Sequence, residues 1–194
     1  GTVNASAVTT LTGTGAAIVV AAQDATITTA ADYAATVNSG TLSVANALIL
    51  DADTTGAITA SIAEGDVATL TTLRDVNSNN ALTITVTDLT AAAADLNTVD
   101  GLTSVAVDAT AMSTLTGTAA AAAAAAVSAG ITANSTYNVT LSGGSAAAAD
   151  LVSLTYATIG TVDASAVTTI TGNAVDIVTA LQAGGITTAS NYDA

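Results

Sequence analysis

Carboxylates are almost the only groups in this chain that can ligate a metal or titrate. Fifteen Asp and Glu stand against one basic residue, Arg74, with no His and no Cys among 194 residues. Asp51-Ala52-Asp53 forms a D-x-D pair, and Asp108 and Asp163 recur at the same place in a repeated phrase. Hard oxygen ligands of this kind suit Ca2+, which takes roughly six to eight of them. Neither an EF-hand loop nor a glycine-rich calcium nonapeptide surrounds these residues. Asp51, Asp53, Asp108 and Asp163 are therefore weak Ca2+ candidates. The expected role is that of strand-end and turn residues bonded to nearby backbone, and no resident cofactor is expected. Diffuse screening by divalent cations answers the net charge of −14 without any built site.

Other chemistries fail on the residue inventory. Ser and Thr abound, but no His, Lys or Cys is present to act as base or activated nucleophile. Paired-carboxylate hydrolysis of sugars needs a cleft, usually with aromatic platforms, and the chain holds four Tyr and no Phe or Trp. Gly13-Thr14-Gly15 and Gly143-Gly144-Ser145 precede helical patterns, where backbone N–H groups can receive a phosphate. No Lys follows either, so both are read as helix-entry turns. No enzyme is expected. The charge excludes nucleic acid, which requires a basic footprint. The longest apolar run, Ala119 to Val127, falls far short of the roughly 20 residues that span a bilayer.

These residues sit in a repeated frame. Val3-Asn4-Ala5-Ser6-Ala7-Val8-Thr9-Thr10-Leu11-Thr12-Gly13 recurs, with changes, from Val107 to Gly117 and from Val162 to Gly172. A weaker relative begins at Ile58, so the copies start at Val3, Ile58, Val107 and Val162, with the middle interval the shortest. Fixed-period self-similarity marks a solenoid or an array. One section over residues 1–194 is expected, with repeats near 1–56, 57–104, 105–159 and an incomplete 160–194. The core must be thin, built of Ala, Val, Ile and Leu.

Seven short strands are expected near 2–5, 35–38, 57–60, 82–87, 105–108, 138–141 and 160–163, with helices between them. Spacing predicts stripes at Leu42, Ala45 and Ile49, and at Ala174, Ile177, Val178 and Leu181. The Thr-rich segments Ala7–Thr12 and Ala166–Thr171 are expected to be irregular bridges. Leu82, Ile84 and Val86 alternate with Thr83, Thr85 and Thr87, so one sheet face is apolar and the other polar. The fold class that follows is α/β: an open right-handed solenoid of leucine-rich-repeat type, one parallel sheet with helices on one face. Its unit is expected to alternate between a long form, as from Val3 to Ala35, and a short form, as from Ala35 to Ile58. The chain opens on signature residues and stops at Asn191-Tyr192-Asp193-Ala194, a phrase like the one at Asp32-Tyr33 that leads into a strand. It is expected to be a section of a longer array, or a subunit whose ends meet the next copy.

The phrases DASAVTTITGNAVDIVTALQAGGI, TLTGTAAAAAAAAVSAGI and VTDLTAAAADLNTVDGLTS resemble the repeats of giant bacterial cell-surface proteins. Clear examples are giant surface proteins of marine cyanobacteria, including one needed for swimming without flagella. The likeness covers nearly the whole chain and departs from the pattern at Ile58 to Leu73. It implies an extended extracellular scaffold at the cell surface, exported and without catalysis. Its partners would be further copies of the array, end to end or side by side, and the cell envelope. The alternative is an adhesin-type module that presents the Thr/Asp/Asn face to a glycan, a mineral, ice or Ca2+.

Overall fold

A computed structural model describes residues 1–193. It contains short parallel strands and seven helices among the described residues, an α/β protein. Two compact units divide the chain: Gly1–Thr85 with Val99–Val107, and Val86–Thr98 with Asp108 onward.

In the first unit β1 (Val3–Ala5) and β2 (Thr10–Thr14) lead into α1 (Gly15–Gln23). Next come β3 (Ile27–Thr29), β4 (Ala34–Ser39) and α2 (Val44–Asp53), then β5 (Ile58–Ser61), the single-turn α3 (Val67–Leu70) and β6 (Ala81–Thr83). β1 pairs with β3, while β2, β4, β5 and β6 form a four-stranded ladder in that order. The second unit holds β7 (Thr90–Ala92), the start of α4 (Ala93–Asp100), most of β8 (Val107–Ala109), β9 (Thr114–Gly117) and α5 (Ala119–Val127). It continues through β10 (Ile131–Ala133), β11 (Asn138–Leu141), β12 (Gly144–Ala147), α6 (Ala148–Ala157), β13 (Val162–Ala164), β14 (Val167–Thr171), α7 (Ala174–Gln182) and β15 (Ile186–Thr188). There β7, β9, β11, β13 and β15 line up as neighbours, and β8–β10 and β12–β14 form separate pairs.

Every recorded pairing is parallel, and the step along the chain is nearly constant. Val3 lies opposite Ile27, Leu11 opposite Ala35, Ala60 opposite Leu82, Thr114 opposite Asn138 and Val162 opposite Ile186. Ala35 opposite Ile58 and Val139 opposite Val162 keep the same stride. The alternating long and short unit expected from sequence is therefore corrected to one rung of near-constant length. The long interval runs from β1 to β4 and passes over β2 and β3.

Two strands correct a further expectation. Thr10–Thr12 of the first Thr-rich bridge belongs to β2, and Val167–Thr171 of the second is β14, since Thr and branched apolar residues suit a pleated strand. Val167 and Ile170 are buried in β14. The single sheet is divided into five among the described residues. Several rungs carry two or three short strands, so the ladders run in separate strips. The β1–β3 strip stops at two because the residue one rung beyond Ile27 is Asp51, already inside α2.

Local chemistry explains the helix starts. Thr14, Ser43, Asp66, Thr118 and Asn173 each accept a hydrogen bond from the N–H three residues on, the favoured N-cap geometry. The expected stripe on α2 is one register off. Leu42 precedes the helix, and the buried face is Val44, Ala47 and Leu50. In α7 only Ala180 is buried, while Val178 and Leu181 are exposed. In Leu82–Thr87 the alternation holds: Leu82, Ile84 and Val86 are buried and Thr83, Thr85 and Thr87 exposed. The phrase ending the chain does reach a partner, since Asp193 bridges to Thr169. Ala194 lies outside the described residues.

Candidate functional site

The acidic residues singled out from sequence each accept a hydrogen bond, Asp108 and Asp163 from residues two places on and Asp51 and Asp53 from distant ones. Asp108 Oδ1 accepts hydrogen bonds from Thr110 N–H at 3.0 Å and from Thr110 Oγ1 at 2.7 Å. Asp163 Oδ1 accepts from Ser165 N–H at 2.9 Å. The hydroxyl of Thr110, then its N–H, holds the Asp108 carboxyl below the usual carboxylate range, and Ser165 does the same for Asp163. Hydrogen bonds to the charged form favour it. Asn4 fills the equivalent place in the first copy, accepting from Ser6 N–H at 3.0 Å. These residues close the turn after a strand. Asp51 accepts from Asn80 Nδ2 at 3.2 Å, and Asp53 accepts from the Tyr33 hydroxyl at 2.7 Å. No three acidic groups among the described residues converge as a metal would require. Asp51 and Asp53 sit two apart on α2 and turn to different partners.

The two glycine-rich turns also differ from each other. Thr14 caps α1, as expected of a helix entry. Gly144 instead opens β12, and α6 begins only at Ala148 with no side-chain cap. The expected helix-entry turn at Gly143-Gly144-Ser145 is thus corrected to a strand entry. No helix among the described residues is long and apolar enough to cross a membrane.

Sequence reasoning missed a constellation that occurs once in each unit. Tyr33 and Tyr137 are among the most deeply buried large side chains. Their backbone carbonyls accept hydrogen bonds from Thr54 Oγ1 and Thr158 Oγ1, both buried and both 21 residues on. The same hydroxyls accept from Gly56 N–H and Gly160 N–H, each at 3.0 Å. At Gly56 and Gly160 a Cβ would overlap the carbonyl of the facing tyrosine, so only glycine admits the approach. The signal was available. A Tyr followed one rung later by Thr-x-Gly recurs as Tyr33/Thr54-Thr55-Gly56 and Tyr137/Thr158-Ile159-Gly160.

The two copies differ at one point. Asp53 meets the Tyr33 hydroxyl, but the corresponding residue beside Tyr137 is Ala157. Burial first, and Asp53 second, push the Tyr33 phenol far above its ordinary pKa. Burial alone raises Tyr137. A cavity of about 180 Å3 opens beside Tyr137, with Ala157 in its wall.

Comparison with family models, with curated proteins and with solved structures returned no match.

Proposed function

We propose that this chain is a structural repeat segment of a large secreted cell-surface protein, stacked as an open right-handed α/β solenoid with its helices on one face and no catalysis of its own. The observation that carries this reading is the repeated parallel register, in which Leu11 faces Ala35, Ala35 faces Ile58 and Thr114 faces Asn138. In the second copy of the signature Val107 and Met112 are buried. The second copy has a preceding rung: Val86 N–H donates to the Asp108 carbonyl, and β7 pairs with β9. Each rung leaves an apolar edge that the preceding rung covers, the property that makes arrays extend.

The test is to fuse a second copy of residues 81–104 ahead of Gly1. The added rung should raise Tm and slow amide exchange across Thr10–Thr14. Unchanged exchange there would sink the stacking reading. The exposed row Thr83, Thr85 and Thr87 favours a second reading, an adhesin face. Saturable binding on a glycan array or to a mineral, lost when these threonines are changed to alanine, would establish it over the pure scaffold.

A further inference from the structure

We propose that the cavity beside Tyr137 is a binding site for a small neutral molecule that presents one carbonyl oxygen to the Tyr137 hydroxyl and packs an apolar ring against Leu96, Met112, Leu115 and Ile131.

Three observations carry this. The cavity of about 180 Å3 lies wholly within the second unit and is lined mainly by apolar side chains. A cavity of about 150 Å3 lined by Leu, Ile and Phe is known to hold benzene, so this one takes a ring of about six carbons. Second, Tyr137 is only 3 % exposed, and burial is the one cause that raises its phenol, with no hydrogen bond beside it as there is for Tyr33. Its side chain is part of the cavity wall. A buried phenol normally has a partner. Third, the sister copy shows which group belongs there: Asp53 Oδ2 accepts the Tyr33 proton at 2.7 Å. Ala157 removes that carboxylate and leaves both the donor and the room for a ligand oxygen.

The chemistry of the walls sets the ligand class. Asn134 and Ser135 are the other polar lining residues. The Asn134 amide is spent: Nδ2 donates to the Thr110 and Met112 carbonyls, and Oδ1 accepts from Thr136. No basic group lines the cavity, so a carboxylate would be desolvated without a counter-charge in a chain of net charge −14. No acidic group lines it either, which disfavours an amine. A neutral oxygen acceptor remains, and a ring ketone is its simplest rigid form.

Cyclohexanone is the probe, titrated against the full chain by ligand-observed NMR and calorimetry. Saturable one-to-one binding is expected, with cyclohexanecarboxylate at least tenfold weaker. Tyr137→Phe should weaken cyclohexanone about three- to tenfold, the worth of one hydrogen bond. Ala157→Asp restores the sister copy's pair and should abolish binding. Should that variant unfold, Ala126→Leu, which fills the cavity with apolar bulk, should abolish binding instead. Absence of saturation in the unmodified chain overturns the proposal. So does binding that survives Tyr137→Phe unchanged, or a carboxylate that binds more tightly than the ketone.

Discussion

At Gly160 a single hydrogen atom decides whether a rung closes. The Thr158 hydroxyl donates to the Tyr137 carbonyl while accepting from Gly160 N–H, and the backbone passes too close for any side chain. Gly160→Ala should cost about 3 kcal/mol by overpacking against rigid backbone, roughly 6–12 °C in Tm. Gly56→Ala should do the same in the first unit. Gly184→Ala, where an added Cβ would meet nothing, should change stability by less than about 0.5 kcal/mol. Equal losses at Gly160 and Gly184 in thermal melts would refute the close-approach account. Tyr33 yields a pH prediction. Its folded pKa lies above the unfolded value of 10, so its contribution is complete below pH 10 and is lost as pH rises beyond it. Tm should fall above pH 10, and fall less steeply in Tyr33→Phe; an identical alkaline decline in the variant would rule this out. These features were only half legible from sequence. The turn role of Asp108 and Asp163 could be read from a short polar residue placed at a strand end. The Tyr–Thr–Gly contact spans a whole rung, and nothing local to Tyr33 or Thr54 announces it.

Among the elements, helices proved easier to locate than to orient. Ala, Leu and Val runs following Thr or Ser mark where α1, α2 and α5 begin, since the cap is a local event. Which face is buried is not local. In α2 the stripe Val44, Ala47, Leu50 and the expected one through Ala45 and Ile49 are both apolar, and only the neighbouring rung chooses between them. The strands missed, β2, β3, β7, β9, β10, β12, β14 and β15, are three to five residues long. Segments that short owe their existence to parallel neighbours one rung away, so their own composition carries little signal. The α5 helix isolates the value of a cap. Its first eight residues are all alanine, which supplies propensity but no large apolar anchor. The Thr118 hydroxyl accepts from Ala121 N–H at 3.2 Å. Thr118→Ala should therefore cost about 1 kcal/mol, and Thr118→Ser or Thr118→Asp should restore most of it. If urea melts show Thr118→Ala to be neutral, packing of α5 against α6, rather than its cap, fixes the helix.

For the chain as a whole, fifteen acids and one Arg make charge the dominant variable. Self-repulsion opposes every compact state at pH 7, and simple salt shortens its reach to about 10 Å at 0.1 M. Tm at pH 7 should rise as NaCl goes from about 20 mM to about 0.1 M or more. Lowering the pH toward about 4, where ordinary Asp and Glu begin to protonate, should also raise it, since repulsion fades. A second effect then opposes the first. Asp24, Asp66, Asp108 and Asp163 have folded pKa values below the ordinary 3.8, chiefly through hydrogen bonds from Thr26, Thr69, Thr110 and Ser165. Groups depressed in this way stabilise the fold above their unfolded pKa and withdraw that support as pH falls through the folded one. Tm should therefore pass through a maximum near pH 4 and decline below it, with the decline smaller in an Asp108→Asn, Asp163→Asn variant. Calcium separates diffuse screening from a built site. With charge alone at work, Ca2+ raises Tm gradually over millimolar concentrations, as Mg2+ does. A saturable rise at micromolar Ca2+, absent with Mg2+, would mean that Asp51, Asp53, Asp108 or Asp163 holds an ion after all. A Tm that falls with added NaCl at pH 7 would mean that specific ion pairing, not repulsion, governs this acidic chain.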